Sequence, residues 1–181
     1  MHRYLVFSYN SQQHAADSIP SEYDLAFWAP SFTQWLPPTL SVKYLMWTLF
    51  VFFCIFKNKD YRVLFIKDGN VIIHRACVVP AYFRWPFMAP ADVQISSTWT
   101  HPDYRGHGVA TLALGHITSK LAVPTRRFWY VSREGNPASV HVARKAGFSL
   151  RGYAFRVRRF GVEALGYLDL KINGTGGSPL V

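Results

Sequence analysis

Apolar residues along the chain occur in short runs with two kinds of spacing. Alternating or continuous runs rich in β-branched and aromatic residues, bounded by turn residues, predict strands. The predicted strands are Arg3–Phe7, Tyr61–Ile66, Val71–Val79, Val93–Trp99, Phe128–Ser132, Phe148–Arg159 and Glu163–Ile172. Apolar residues spaced three or four positions apart predict helices. The predicted helices are Ser21–Trp28, Thr39–Phe56, Arg105–Leu121 and Asn136–Gly147, with Pro30, Pro37 and Pro38 separating the first two.

The turns and connections between these elements predict how a sheet is assembled. Asp68, Gly69 and Asn70 lie between two predicted strands and favour a β-hairpin. Helix Arg105–Leu121 connects the fourth and fifth predicted strands, which should therefore run parallel. The last two strands should pair antiparallel around Gly161. The order of elements is thus β-α-α-β-β-β-α-β-α-β-β, which is an α/β fold.

Length and composition favour one domain with a full core, because 50% of the 181 residues are hydrophobic. We divide the chain into a variable N-terminal part with an apolar helix (1–59), a core (60–172) and a flexible tail (173–181). The formal net charge of +10 favours a polyanionic partner. A nucleotide cofactor, a nucleic acid and an anionic membrane all meet that description.

Cysteine and histidine usage argues against a disulfide scaffold and against a metal site. Cys54 and Cys77 both lie inside apolar runs, which predicts buried free thiols. No spacing of cysteine and histidine resembles a zinc site, so no metal is expected. The first residues lack the apolar segment of a secretion signal, and we therefore expect a cytoplasmic protein.

Two aromatic stretches have more than one interpretation. Tyr44–Phe56 is flanked by Lys43 and Lys57 but is only about 13 residues long, whereas a membrane-spanning helix needs about 20. We favour a core helix or a homodimer contact, and a peripheral membrane contact is the alternative. Tyr82–Met88, which precedes the fourth strand, either walls an acceptor pocket or covers the edge of the sheet.

The segment Thr98–Ala110, T-W-T-H-P-D-Y-R-G-H-G-V-A, runs from a strand through a glycine turn into a helix. Glycines let the backbone approach a phosphate, and the free N–H groups of the first helical turn bind the anion. The alternative is a tight turn without a ligand. A P-loop and a dinucleotide-binding turn match less well, because Val109 and Ala110 replace Lys-Ser/Thr and Thr111 replaces the third glycine.

A second motif, Asn136–Phe148, follows the fifth predicted strand. Asn136 and Pro137 suit an N-cap and the first helical residue, and Gly147 suits the end of the helix. Together the two motifs resemble the GCN5-related N-acetyltransferase (GNAT) family, over a region from about Asp60 to Leu170. The resemblance implies a mixed, mostly antiparallel central sheet flanked by helices. It also implies that the fourth and fifth strands splay apart and admit the pantetheine arm of acetyl-CoA.

The resemblance carries a set of cofactor-binding residues onto this sequence. Strand residues would hold pantetheine and polarise the thioester, the glycine turn would hold the pyrophosphate, and the late helix would contact the cofactor. These residues are Thr98, Trp99 and Thr100, then Arg105, Gly106, His107, Gly108, Val109 and Ala110, and finally Asn136 and Ser139.

Two positions depart from the family pattern. Ala143 stands where many relatives have a tyrosine that protonates the leaving thiolate, and Gln94 stands near the usual glutamate base. Ser139, Tyr130 and Tyr153 are alternative acids, and Asp92, His74 and His101 are alternative bases. Of these we place Asp92, His74 and Ser139 first.

The expected activity is transfer of an acetyl group from acetyl-CoA to a primary amine by direct attack in a ternary complex. The aromatic content suggests an amino sugar or a nucleotide-linked amino sugar as the small-molecule acceptor. A protein N-terminus and an antibiotic remain alternatives. So do a catalytically inactive acyl-CoA-binding module and a membrane-associated enzyme. A nucleic-acid-binding protein is the interpretation that we set aside.

Overall fold

The computed structural model describes residues 3–10, 23–37, 44–159 and 162–172. Its strands are β1 (Arg3–Asn10), β2 (Asp24–Trp28), β3 (Arg62–Asp68), β4 (Val71–Pro80), β5 (Val93–Thr100), β6 (Arg127–Arg133), β7 (Ser149–Arg159) and β8 (Val162–Ile172). Its helices are α1 (Leu45–Phe52), α2 (Val109–Lys120) and α3 (Pro137–Lys145), and a short 3-10 turn spans Pro102–Tyr104.

The strands form a single sheet in the order β2-β3-β4-β5-β6-β1-β7-β8. Only β5 and β6 run parallel, and every other pair of neighbours is antiparallel. The sheet is therefore mixed and mostly antiparallel, as expected. The β3–β4 hairpin turns at Gly69, whose φ is +54°. The β7–β8 pair is also confirmed, while Gly161 lies outside the described residues.

The first predicted helix, Ser21–Trp28, is wrong over its described part. Asp24–Trp28 forms the edge strand β2, which pairs antiparallel with β3. Leu25 and Phe27 are half-buried whereas Asp24 and Ala26 are exposed, and this period of two suits a strand. In a run of this length the helical and strand periods share several positions, and pairing with β3 decides the outcome.

The second predicted helix is shorter than the expected Thr39–Phe56, because α1 spans Leu45–Phe52. Residues 39–43 lie outside the described part of the chain. The helix ends before Cys54, which has a φ of +53° and is exposed. The expectation that both thiols are buried is therefore wrong for Cys54, although Cys77 is a buried free cysteine.

The sheet has an apolar core on each face. Leu64 and Ile66 belong to one cluster, whereas Val63 and Phe65 belong to another, because successive strand residues point to opposite faces. The first cluster includes residues of α2 and α3. The second includes Tyr44, which directly precedes α1, and residues of α1 itself pack against it. Helices thus flank both faces of the sheet.

Helix α1 uses one side for the core. Trp47, Phe50 and Val51 pack against the second cluster, whereas 48% of Met46 is exposed. Within the described residues, no helix is long and apolar enough to cross a membrane. A homodimer contact or a membrane contact through this segment stays a prediction.

The aromatic stretch Tyr82–Met88 packs onto the sheet. Tyr82 and Met88 are buried, and the ring of Phe87 lies 5.0 Å from that of Trp129. Of the two interpretations, the structure favours a cover for the sheet over a wall for a pocket.

Candidate functional site

The two parallel strands separate part-way along their length. β5 and β6 pair only at Val93, Gln94 and Ile95, the last of which faces Tyr130. Beyond Ile95, β5 keeps a single neighbour, β4. The splay expected from the resemblance is therefore present, and it opens a gap between the two strands.

A β-bulge lies just beyond the point of separation. Arg75 pairs with Trp99 and Cys77 with Ser96, so that two residues of β5 lie opposite one residue of β4. Ser97, one of those two residues, has a φ of +51°, which is unusual for a residue other than glycine. A bulge re-aims the neighbouring side chains, and bulges are frequent beside active sites.

The glycine turn follows the end of β5. Gly106 and Gly108 have φ values of +83° and +79°, and Gly108 is the N-cap of α2. A Cβ atom added at either glycine would meet nothing within 4 Å, so the turn borders open space. Because the first N–H groups of a helix have no intrahelical partner, this end of α2 offers donors to an anion.

Helix α3 begins as the sequence predicted. The Asn136 side chain accepts a hydrogen bond from the Ser139 backbone N–H at 3.1 Å, and Pro137 occupies the first turn. The N-terminal turns of α2 and α3 both reach one cavity of about 560 Å³, which lies at the gap between β5 and β6.

Most of the predicted cofactor residues line this first cavity. They are Thr98, Trp99, Thr100, Arg105, Gly106, Gly108, Val109, Ala110, Asn136 and Ser139. His107, which the sequence also predicted, is not among the lining residues. The prediction concerned the backbone N–H of His107 and not its side chain.

Several further residues that line the same cavity were not predicted from the sequence. They are Tyr104, Thr111, Ala138, His141, Val142 and Lys145, and Tyr130 had been considered only as an acid. Four of them belong to α3 and lie on one face of that helix, namely Ala138, His141, Val142 and Lys145. Their helical spacing could have revealed them in the sequence. Arg105 and Lys145 give this cavity two cationic side chains.

Three hydroxyl groups form a hydrogen-bonded chain across the fork, the point where β5 and β6 separate. The Tyr130 hydroxyl lies 2.7 Å from Ser139 Oγ and 3.4 Å from Thr98 Oγ1. Tyr130 is only 4% exposed, and all three residues line the first cavity. The chain therefore joins β5, β6 and α3 at the point where the strands separate.

Asp92, the first-placed base, lies outside the cavity and serves the sheet. Its side chain is 2% exposed and accepts hydrogen bonds from the backbone N–H groups of Ala89 and Arg127 and from Trp129 Nε1. Gln94, two residues further along the chain and within β5, is 4% exposed. Asp92 is not among the residues that line the first cavity, so the geometry gives it a structural role.

The two histidines proposed as bases differ in surroundings. His74 is fully buried, and its Nδ1 lies 2.8 Å from Thr100 Oγ1. Burial lowers the pKa of His74 to about 4, so the ring is neutral at pH 7. His101 is half-buried, with its Nδ1 3.6 Å from Asp103 Oδ2. Neither histidine is among the residues that line the first cavity.

A second cavity, of about 440 Å³, meets the first at β5. Thr98 and Trp99 line both cavities. The other lining residues are Tyr44, Met46, Trp47, Arg75 and Ser97. The start of α1 thus contributes to this site, which no motif in the sequence indicated. Within the described residues, no group of three or more potential metal ligands is present.

The sequence matches the profile of the Acetyltransferase (GNAT) family over residues 27–148, which is more than half of the chain. The protein belongs to the GNAT family. No curated protein sequence matches the chain.

GNAT proteins are also among the similar solved structures. A GNAT-family protein from Novosphingobium aromaticivorans is 13% identical with a TM-score of 0.52, and the match covers 84% of this chain and 61% of that one. An acetyltransferase from Colwellia psychrerythraea is 12% identical with a TM-score of 0.54, covering 84% and 54%. A GCN5-related N-acetyltransferase from Sphaerobacter thermophilus is 13% identical with a TM-score of 0.51, covering 84% and 49%.

At these identities the likeness shows the shared GNAT fold. The chain spans about half to three fifths of the length of these structures. Family membership supports acyl transfer in general, while the activity, the cofactor and the acceptor have to be argued from the site itself.

Proposed function

We propose that the protein is an N-acetyltransferase that moves an acetyl group from acetyl-CoA to a primary amine. One observation carries the proposal: the fork between β5 and β6 opens into a cavity bordered by the glycine turn. Acetyl-CoA needs both features, because it has a charged diphosphate and a long, thin pantetheine arm. The small-molecule acceptor that we favour is an amino sugar or a nucleotide-linked amino sugar.

The residues at the turn suit the diphosphate of acetyl-CoA. Gly106 and Gly108 leave open space where a side chain would otherwise project, and the first N–H groups of α2 border that space. Arg105 and Lys145 add positive charge to the same cavity. The edge of β5 beyond Ile95 has lost its β6 partner, so its backbone groups are available to an extended arm.

When bound, acetyl-CoA supplies a thioester as the acyl donor. The acceptor nitrogen forms a bond to the acyl carbon, the carbon–sulfur bond breaks, and the sulfur leaves with the bonding electrons. The protein has to hold the amine close to the acyl carbon, stabilise the developing oxyanion and return a proton to the sulfur. The Thr98–Tyr130–Ser139 hydroxyl chain is the proton donor that we propose, in place of the missing tyrosine at Ala143.

Removal of the proton from the amine needs no carboxylate in this arrangement. Neither cavity is lined by an aspartate or a glutamate among the described residues. We propose that the acceptor binds as the neutral amine, or loses its proton to water, since Asp92 is occupied by hydrogen bonds within the sheet.

A second candidate function is acyl-CoA binding without turnover. Ala143 and Gln94, which stand where many relatives have a catalytic tyrosine and glutamate, favour it. Turnover of acetyl-CoA with any amine would eliminate this candidate. A protein N-terminus or an antibiotic as acceptor would leave the cofactor site as proposed and change only the acceptor side.

Calorimetric titration with acetyl-CoA tests the proposal, with ATP and NAD as competing ligands. We would compare the wild type with Gly108→Trp, whose new side chain projects into the cavity at the turn. Gly69→Trp is the matched control, because Gly69 also has a positive φ and open space at its Cβ but lies in the β3–β4 hairpin. Both variants therefore carry similar backbone strain.

We expect the wild type and Gly69→Trp to bind acetyl-CoA in the micromolar range, and Gly108→Trp to lose at least about 100-fold in affinity, since two phosphates would lose their donors. Equal affinity in the two variants, or no binding of acetyl-CoA by a folded wild type, would contradict the proposal.

A further inference from the structure

The second cavity contains one charged side chain among the described residues, and that side chain is Arg75. Arg75 lies on the same face of β4 as Cys77, which belongs to the apolar cluster beneath α1. A guanidinium at such a position normally pairs with a carboxylate or a carbonyl. Here its Nε atom is buried and has no hydrogen-bond partner.

Aromatic residues hold the Arg75 guanidinium in place. Its Cζ atom lies 4.8 Å from the centre of the Trp99 ring, which is a cation–π contact. The Tyr44 hydroxyl accepts a hydrogen bond from the guanidinium: burial raises the pKa of Tyr44, and the Arg75 charge and this hydrogen bond oppose that rise. The contacts with Trp99 and Tyr44 thus orient the guanidinium, which supplies the positive charge of the second cavity.

The position of this cavity connects it to the proposed reaction. Thr98 and Trp99 line both cavities, so a ligand in the second cavity would lie beside the end of the acyl arm in the first. The first cavity borders the glycine turn and the N-termini of α2 and α3, whereas the second borders the start of α1. Two cavities with different borders therefore share the Thr98–Trp99 stretch of β5.

From these observations, and resting on the proposed function, we infer that the acceptor amine carries an anionic group, a carboxylate or a phosphate, which Arg75 binds. A planar guanidinium binds both groups through paired N–H donors. The rings of Tyr44, Trp47 and Trp99 surround the rest of the acceptor.

The same charge favours the form of the amine that reacts. A cation in a partly desolvated cavity disfavours a second positive charge, and it therefore lowers the pKa of a neighbouring ammonium group. An acceptor with no anionic group, such as a polyamine, would be repelled as a cation. An acceptor with a carboxylate or a phosphate gains the attraction instead.

Small aromatic anions test the inference directly. The protein, saturated with CoA so that the first cavity is filled, would be titrated with phenyl phosphate and benzoate and with the matched neutral compounds phenol and benzamide. Binding would be followed by the shifts of tryptophan indole signals in NMR spectra of 15N-labelled protein. The variants are Arg75→Met and, as control, Arg133→Met, since Arg133 is exposed on β6 and lines neither cavity.

We expect at least one anion to bind about 10- to 100-fold more tightly than its neutral match, which is the usual effect of a charge-assisted hydrogen bond. Arg75→Met should remove this preference, and Arg133→Met should keep it. Preference for phenyl phosphate alone would identify a phosphorylated acceptor, and preference for benzoate alone would identify an amino acid or another carboxylate.

The inference is overturned if neither anion binds more tightly than its neutral match, or if Arg75→Met keeps the preference. Arg75→Lys covers the case in which Arg75→Met does not fold: it retains the charge without the paired donors, and a preference weaker than that of the wild type is expected. Failure to bind CoA at all would overturn the proposed function and this inference together, whereas CoA binding without an anion preference would overturn the inference alone.

Discussion

The two halves of β5 have different surroundings and different tasks. Val93–Ile95 is paired on both sides, and each of its residues is buried. Ser96–Thr100 is paired only with β4, carries the bulge and is half-buried or exposed. Asp92, which directly precedes the first half, accepts hydrogen bonds within the sheet, whereas residues 97–100 of the second half line the two cavities.

The loss of one neighbouring strand thus creates the site. A strand with two neighbours has no free backbone groups, and its side chains are committed to the core. Where β6 turns away, the same strand gains free backbone groups and space on both faces. We therefore expect substitutions in or beside the first half to change stability and substitutions around the second half to change activity.

The largest effect is expected for Asp92→Ala, which removes the acceptor of three buried hydrogen bonds. The free energy of unfolding should fall by about 3 kcal/mol, because the donors lose their partner without contact with water. Urea denaturation measures this change, and Asp24→Ala, at the exposed start of β2, is the control. If Asp92 were the base, kcat of the folded variant would fall instead, with little change in stability.

A somewhat smaller effect is expected for Tyr130→Phe, which breaks the hydroxyl chain at the fork. The turnover number with acetyl-CoA should fall by about 100-fold, as is usual when a general acid is removed, while the affinity for acetyl-CoA should change little. Steady-state kinetics measures both quantities. Tyr153→Phe is the control, since Tyr153 packs under the Arg3 guanidinium on β7 and should retain wild-type turnover.

Acid should destabilise the protein through His74, which lies opposite Thr100 in the second half of β5. Burial lowers its pKa from the 6.5 of an unperturbed histidine to about 4 in the folded protein, so the unfolded chain takes up the proton first. This contribution to stability is present above pH 6.5 and is lost as the pH falls towards 4. Between pH 7 and pH 5 the loss should be about 2 kcal/mol. Urea denaturation at both values tests it, and His74→Gln should show a smaller difference between them.

The smallest effect is expected for Ser97→Gly at the bulge. Ser97 has a φ of +51°, a conformation that favours glycine, so the substitution should raise the free energy of unfolding by at most about 1 kcal/mol. Thermal unfolding measures the change. A clear loss of stability would show that the Ser97 side chain, which lines the second cavity, contributes more than the strain it imposes.

The core of the fold could be predicted from periodicity and turn chemistry. The hairpin at Gly69, the parallel pair and helix α3 all follow from local patterns, and each is confirmed. β2 could not be predicted, because five residues with mixed spacing gain their structure from pairing with β3. Local sequence carries no information about such a partner.

The first cavity was predictable and the second was not, for a physical reason. The glycine turn and the cap at Asn136 are local motifs, and each leaves a contiguous pattern in the sequence. The second cavity combines Tyr44, Arg75 and Trp99 from three distant segments. Only the register between β4 and β5, which places Arg75 opposite Trp99, brings the guanidinium onto the ring.

The insertion of β1 between β6 and β7 has a consequence for the order of folding. Residues 3–10 find their partners only when residues 127–159 are available, so the centre of the sheet cannot close until synthesis has passed residue 159. Val6 and Phe7, fully buried in the finished protein, remain exposed during that interval. We therefore expect chaperones that bind short apolar segments to bind the nascent chain while β1 is unpaired.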